Sequence, residues 1–217
     1  MTETLKRAIF QLEHPDKNRQ HQVVVGFDGF IDSLVYPVKT MQDEEHMEFF
    51  ESIEGFGDFF RGKANKSCSI ELYPVMKKMG GNAPIFGKAI ASLGIVTKCI
   101  GAFGYPEIDE IFQGQEENLE MISIANPGIC TALEFLDGKV MLAENQGIRE
   151  LNYEILKKRV SMERIFEILE QSDVISLMNW SEVLGSESIW EGILTDMLPK
   201  IPHTVWHLYR IGTEFTA

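Results

Sequence analysis

Cysteine is the first residue type that this sequence has little of. The 217 residues contain three cysteines, Cys68, Cys99 and Cys130, which are far apart and odd in number. Disulfide frameworks and zinc sites use paired or closely spaced cysteines, so both are excluded. We predict reduced thiols that are buried as small hydrophobic side chains, as in a cytoplasmic protein. No run of about 18 apolar residues is present either, so we expect no transmembrane helix.

Positive charge is also scarce, because 20 Lys and Arg stand against 33 Asp and Glu and give a net charge of −13. Nucleic acids and anionic membrane surfaces bind clustered Lys and Arg, so neither is expected as a partner. The sequence contains neither a Gly-Lys-Ser/Thr phosphate loop nor a Gly-x-Gly-x-x-Gly dinucleotide motif. With 44% hydrophobic residues, the chain can still bury the core of an α/β domain.

What the sequence does contain is a series of short, continuous apolar runs. Such runs are typical of parallel strands that are buried on both faces. We predict strands of this series over residues 23–27, 96–100, 120–125, 174–178 and 204–208. Helical spacing of apolar residues predicts helices within residues 1–21, 43–60, 85–93, 106–118, 152–171 and 182–198. This alternation predicts an α/β fold with a largely parallel sheet flanked by helices.

A second group of segments alternates between apolar and polar residues. Residues 130–136 and 139–143 flank Asp137-Gly138, which predicts a β-hairpin with a type I′ turn. Residues 69–76 form a further antiparallel strand in this prediction, with the hairpin as a candidate partner. The phenylalanine-rich segment 49–60 is interpreted as core or as a subunit interface, with an aromatic ligand cage as an alternative.

The glycine pair Gly80-Gly81 precedes a predicted helix that begins near Pro84 and ends before Gly94. The main-chain N–H groups at such a helix start are expected to be free, which makes it a candidate place for a ligand. Asp28 and Asp32 follow the first predicted strand, at the edge where α/β sheets bind ligands. Two plainer interpretations stay open, a tight turn for the glycines and turn or capping roles for the aspartates.

These residues carry a resemblance to a known family. Gly80-Gly81-Asn82, the helix that ends at Gly94 and the following Gly101-Ala102-Phe103-Gly104 resemble the N-terminal signature of the ribokinase-like (PfkB) carbohydrate kinases. The resemblance implies a ribokinase-like sheet with a small antiparallel β lid near residues 34–40, 69–76 and 129–143. It also implies ATP-dependent, Mg²⁺-assisted phosphorylation of a sugar or nucleoside hydroxyl, and a homodimer formed through the lid.

The resemblance also implies which residues bind the substrate. Asp32 best matches the family's acidic residue, with Asp28 as a second candidate, and Gly80, Gly81 and Asn82 match the floor of the site. Asn179 begins Asn-Trp-Ser-Glu, which has the spacing of a family metal motif, but its position instead favours a strand that faces the substrate. A family asparagine is replaced by Ile85. His203 and His207 would lie too far apart on a strand to share a metal ion.

The family's catalytic motif, Asp-Thr-x-Gly-Ala-Gly-Asp, does not occur in the sequence. We therefore expect residues 1–217 to be one truncated ribokinase-like domain that lacks the C-terminal part and is inactive alone, with no catalytic residue and no metal ligand assigned. Two alternatives are a non-catalytic sugar-binding or regulatory module and an α/β interaction protein whose loops are structural.

Overall fold

The computed structural model of the chain describes Lys6, residues 20–43 and residues 45–201. Its central sheet has four parallel strands in the order β6-β5-β1-β9. These strands are β1 (Gln22–Gly26), β5 (Val96–Ala102), β6 (Leu119–Ala125) and β9 (Val174–Leu177). The parallel sheet predicted from the apolar runs is therefore confirmed for four of the five runs.

Both faces of the central sheet are covered, which explains why β1 is apolar throughout. Val23 and Val25 pack in the cluster that contains Ala83 of the helix after the glycine pair. Val24, on the opposite face, packs in a larger cluster with residues of the helices that follow residue 152. A strand buried on both faces has no position for a polar side chain, so the alternation typical of half-buried strands is lost.

The helices differ from their predicted bounds in several places. They are α1 (Ile53–Arg61), α2 (Asn82–Ala91), α3 (Gln146–Arg149), α4 (Tyr153–Val160), α5 (Met162–Glu170) and α6 (Ser186–Gly192). The single helix predicted over 152–171 is wrong, because Ser161 has a φ of 62° and separates α4 from α5. The Ser161 hydroxyl accepts from the main chain of Arg164 and so begins a new helix.

Two further helix predictions need correction. The helix predicted over 106–118 is instead a turn that contains one short 3₁₀ segment, Glu110–Phe112. The Asp109 side chain caps this segment, and Phe112 packs on Phe103 at 5.0 Å between ring centres. The helix predicted over 182–198 starts only at Ser186 and continues as a π-helical turn (Ile193–Met197) and a 3₁₀ turn (Leu198–Lys200).

A second sheet of five strands lies beside the central one. Its strands are β2 (Phe30–Asp43), β3 (His46–Phe49), β4 (Leu72–Gly80), β7 (Gly128–Phe135) and β8 (Gly138–Glu144). β2 is antiparallel to β3 and β4 but parallel to β7, so this sheet is mixed. The predicted strand at 69–76 exists, but its partner is β2 and not the hairpin β7-β8.

The helix predicted over 43–60 is wrong for its first half. Asp43 accepts hydrogen bonds from the main chain of Glu45 and His46, and this turn returns the chain as β3. Only the second half is helical, as α1, whose start is capped by the Ser52 hydroxyl. The phenylalanines of this segment form an edge-to-face cluster on the second sheet, in which Phe50 is buried and Phe60 is exposed.

The predicted hairpin is confirmed, but its turn is not of type I′. Leu136 and Asp137 are the two residues between the paired positions Phe135 and Gly138, and neither of them has a positive φ. The Asp137 carboxylate instead accepts from the main-chain N–H of Ile53 at 3.0 Å. The turn therefore holds the first residue of α1 against the hairpin.

Some predictions fall outside the described residues, namely most of the helix within 1–21, the strand at 204–208, and His203 and His207. All three cysteines are free, but Cys68 is exposed, which corrects its predicted burial. None of the described helices is long and apolar enough to cross a membrane.

Candidate functional site

The candidate site is the place where the two sheets join, at the carboxyl edge of the central sheet. Asp28 lies between the end of β1 and the start of β2, and the glycine pair connects β4 to α2. Asn179 follows β9, the parallel neighbour of β1. Strand order and register thus bring together residues that are up to 151 positions apart in the sequence.

Asp28 is the best-connected side chain of this site. It is fully buried, and its carboxylate accepts from the main chain of Asn82 at 2.6 Å and of Ala83 at 2.7 Å. It also accepts from the side-chain amide of Asn179 at 2.6 Å. The helix-start N–H groups of Asn82 and Ala83, predicted to be free for a ligand, are therefore occupied by the protein's own carboxylate.

The environment of Asp28 acts on its protonation in two directions. Burial raises the pKa of Asp28 above its ordinary value, and the hydrogen bonds from Ala83, Asn179 and Asn82 lower it in part. A carboxylate at a helix N-terminus is also favoured by the helix dipole. Asp28 has no exposed surface, so in this geometry it supports the site from beneath.

Two close contacts between the main chain and an aspartate require glycine at positions 80 and 81. Gly81 has a φ of 99°, and a Cβ atom placed on it would lie 3.0 Å from an Asp28 carboxylate oxygen. A Cβ atom on Gly80 would overlap the carboxylate of Asp32. Each glycine therefore lets the main chain lie directly against one of the two predicted aspartates.

Asp32 lies on β2 in the second sheet and is half-buried. Its neighbours on the same sheet face are Lys78 of β4 and Cys130 of β7. Burial raises the pKa of Asp32, and the charges of Lys78 and Lys139 lower it in part. Asp32 is thus the aspartate whose carboxylate retains access to solvent.

The two remaining predicted residues, Asn82 and Asn179, differ in exposure. Asn82 gives its main-chain N–H to Asp28, and it is exposed at the start of α2. Asn179 is buried with a φ of 56°, and it supports Asp28 through its side chain. The structure therefore places all six predicted residues around one junction, while substrate binding by them stays a prediction.

Sequence reasoning assigned no place at this junction to Gly29, Gly101 or Lys78, although Gly101 belongs to the signature quoted above. A Cβ atom on Gly29 would overlap the main chain of Ala102, and one on Gly101 would lie 2.5 Å from the Asp28 carbonyl oxygen. A glycine at each position therefore lets the loops after β1 and β5 pack together. Lys78 was missed because its position beside Asp32 depends on the register between β2 and β4.

A metal centre finds no support in the described part of the chain. No group of three or more His, Cys, Asp and Glu side chains is placed there to hold an ion. Glu182, the last residue of the Asn-Trp-Ser-Glu segment, accepts from the Asn145 side chain at 3.3 Å. Asn179 of this segment donates to Asp28 instead, and its predicted place on the substrate-facing side stays a prediction.

Comparison with known proteins now adds to this geometry. Residues 2–205 match the family model described as prokaryotic ketohexokinase. The chain belongs to the prokaryotic ketohexokinase family. A curated relative, the ketohexokinase of Haloferax volcanii, is 24% identical over 189 residues, which are 86% of this chain and 50% of the relative. The resemblance to ribokinase-like carbohydrate kinases is thereby confirmed.

Solved structures support the same fold. An E. coli protein described as a ribokinase II matches with a TM-score of 0.52 at 9% identity, over 88% of this chain and 53% of that one. A fructokinase from Xylella fastidiosa matches with a TM-score of 0.50 at 12% identity, over 88% and 50% of the two chains. The 217 residues therefore span about half the length of the curated relative and of these structures.

Proposed function

We propose that this chain forms the acceptor-binding half of an ATP-dependent sugar kinase whose substrate is a ketohexose. The family and the name of its Haloferax volcanii relative support the reaction class. The observation that carries the proposal is the Asp32 carboxylate, which faces the junction with the Gly80 main chain packed against it. A carboxylate held in this way can accept hydrogen bonds from two neighbouring sugar hydroxyls.

We assign different roles to the predicted site residues. Asp32 binds hydroxyls directly, and Gly80 and Gly81 form the floor against which the sugar ring lies. Asn82 lies exposed at the start of α2 and contributes a polar contact. Asp28 and Asn179 hold the floor in place from beneath, because Asp28 accepts hydrogen bonds both from Asn179, after β9, and from the main chain at the start of α2.

ATP and Mg²⁺ belong to this proposal only as the phosphoryl donor and the ion that the family implies. When bound, they would supply the γ-phosphate and neutralise its charge. The described residues contain no group of three or more His, Cys, Asp and Glu side chains that could hold a metal ion, and the sequence has no Asp-Thr-x-Gly-Ala-Gly-Asp motif. We therefore propose that the 217 residues bind the acceptor in the cytoplasm but do not transfer phosphate by themselves.

A second copy of the chain is the partner that we propose for the second sheet, which then acts as a lid. On the sheet face that carries Asp32, the next row along the strands is apolar and crosses four of them. It consists of Met76, Leu34, Ala132 and Met141. Met76 and Met141 are 54% and 51% exposed, so burial of this row against a second copy would remove apolar surface from water.

The absence of the catalytic motif favours one alternative, a sugar-binding module without catalysis. Both functions require ketohexose binding, and they differ only in phosphoryl transfer. ATP-dependent ADP release in the presence of a ketohexose would exclude the module. Binding without ADP release is the result expected for these 217 residues.

Titration calorimetry with fructose, with an aldohexose and with a nucleoside tests the proposed acceptor. We expect fructose to bind best, and Asp32→Asn to weaken its binding by about tenfold to a hundredfold, because charge-assisted hydrogen bonds are lost. The matched control is Asp58→Asn, at an exposed carboxylate on α1. Equal fructose affinity of the Asp32 variant and the wild type would contradict the proposal, as would the absence of any sugar binding.

The pH dependence of binding provides a second measurement. Because burial raises the pKa of Asp32, its carboxylate takes up a proton at a higher pH than an ordinary aspartate, whose pKa is 3.8. Fructose affinity should therefore decrease as the pH is lowered, with a midpoint above 3.8. The Asp32→Asn variant should lack this dependence, and a similar pH profile in that variant would contradict the assignment.

A further inference from the structure

A cavity beside the junction that holds Asp28 and the glycine pair lies between the outer edge of β4, the first turns of α2 and residues 111–115. Its volume is about 440 Å³. Lysine contributes three of its seven lining residues, Lys77, Lys78 and Lys88, and no Asp or Glu lines it. We propose that this basic cavity binds a phosphate group, either free or carried on a small organic molecule.

The charge of the cavity is opposite to that of the protein. Lys and Arg together are 20 of 217 residues and the net charge is −13, yet three lysines meet at one cavity. Like charges that are gathered in this way repel one another unless an anion lies between them. An anion bound among these lysines would therefore reduce their mutual repulsion.

Lys88 has a neutral hydrogen-bond partner, whereas Lys78 lies beside the Asp32 carboxylate. Elsewhere in the described residues, Lys98, Lys139 and Lys157 each form an ion pair with a glutamate. The Lys88 ammonium instead donates to the neutral side-chain oxygen of Gln115 at 3.0 Å. Gln115 is held in turn by its own hydrogen bond to the Ile111 carbonyl at 2.6 Å, so Lys88 is oriented without being neutralised.

The lining also indicates the chemistry of the ligand. Lysine ammonium groups are common ligands of phosphate, to which each donates as a point charge. Ile85, 53% exposed, and Ile111 add an apolar wall on which the carbon skeleton of a phosphate ester can pack. Lys78 also lies beside Asp32, so a phosphate bound here would alter the electrostatic field at the proposed acceptor site.

The test is an NMR titration of the ¹⁵N-labelled chain with inorganic phosphate, and in a second arm with a phosphate monoester, both at constant ionic strength. The binding variant is Lys77→Gln/Lys88→Gln, which leaves Lys78 and Asp32 intact. The charge-matched control is Lys66→Gln/Lys158→Gln, at two exposed lysines that do not line the cavity. Amide spectra of both variants establish that they are folded before the titration.

We expect phosphate to shift the amide signals of Lys78 and Gln115, and the binding variant to weaken phosphate affinity about tenfold or more. The control variant should bind within about twofold of the wild type, because screened distant charges contribute little. Tighter binding of the monoester would identify an ester as the ligand. Equal shifts with chloride, or unchanged affinity in the binding variant, would overturn the proposal. Neither result depends on sugar binding.

Discussion

The central sheet and the second sheet differ in how far their strands are buried. β1 is buried on both faces, and its two neighbours in the sheet are parallel strands. β4 and β8 of the second sheet are exposed along most of their length. The difference indicates that the central sheet fixes positions while the second sheet presents a surface.

The two predicted aspartates follow the same division. Asp28 follows β1 of the central sheet, has no exposed surface and accepts hydrogen bonds from three donors of the protein itself. Asp32 belongs to the second sheet, is half-buried and is partly balanced by lysine charges. A buried carboxylate with satisfied hydrogen bonds builds a site, whereas an accessible one can bind a ligand.

Replacement of Asp28 should have the largest effect on stability. An asparagine at this position turns an amide N–H₂ toward a main-chain N–H, so one buried donor loses its acceptor. We expect Asp28→Asn to lower the free energy of unfolding by about 3 kcal/mol, measured by urea denaturation.

The control for this prediction comes from α1, on the second sheet. Asp58→Asn, at an exposed carboxylate, should change the free energy of unfolding by no more than about 0.5 kcal/mol. Similar effects of the two variants would remove the distinction between a supporting and a surface carboxylate.

An alanine at Gly81 should have the next largest effect. Gly81 and Gly94 both have a positive φ, 99° and 83°, but only Gly81 lies against Asp28. Gly94→Ala should lower the free energy of unfolding by about 1 kcal/mol through backbone strain alone, because no atom lies within 4 Å of its Cβ position.

Gly81→Ala adds a close contact with the Asp28 carboxylate to the same strain, so we expect a loss of about 2 kcal/mol or more in thermal or urea unfolding. The difference between the two alanine variants measures how tightly Asp28 holds the main chain. Equal losses would show that the junction yields to the added methyl group.

The smallest effect on folding is expected on the second sheet, where Met76 and Met141 are the two ends of the apolar row. The double variant Met76→Lys/Met141→Lys should change monomer stability by no more than about 0.5 kcal/mol, because both side chains are about half exposed. It should nevertheless abolish the proposed homodimer, measured by light scattering after size-exclusion chromatography.

Leu136→Lys is the matched control, since Leu136 is 85% exposed in the hairpin turn and lies outside the apolar row. It should leave the dimer intact. A wild-type chain that is monomeric at high concentration, or a dimer that survives both methionine changes, would contradict the proposed partner.

The parts of the fold that were predictable are those with a strong local pattern. Continuous apolar runs predicted β1, β5, β6 and β9, and alternation around Asp137-Gly138 predicted β7 and β8. Glycines that tolerate positive φ marked the start and end of α2, with Gly81 before it and Gly94 after it. These signals depend on neighbouring residues alone, so no tertiary information was needed.

The parts that were not predictable depend on distant contacts. Met47, Phe50 and Ile53 have helical spacing, yet the turn at Asp43 makes residues 46–49 a strand. Ser161 lies inside an amphipathic pattern, and nothing in that pattern predicts that it separates α4 from α5. The burial of Asp28 and the pairing of Asp32 with Lys78 follow from strand order and register, which the sequence does not state.

The row Gly80–Phe30–Gly128 has a mechanical consequence. β2 and β7 begin here just after the chain leaves the central sheet, and β4 ends here just before the chain returns to it. The Gly128 N–H also donates to the Gly29 carbonyl at 2.9 Å. These three crossings form one seam beside Asp28, and the glycine pair lies on it. If the second sheet acts as the proposed lid, its rotation about this seam would also displace Gly80 and Gly81, so the lid and the proposed floor would move together.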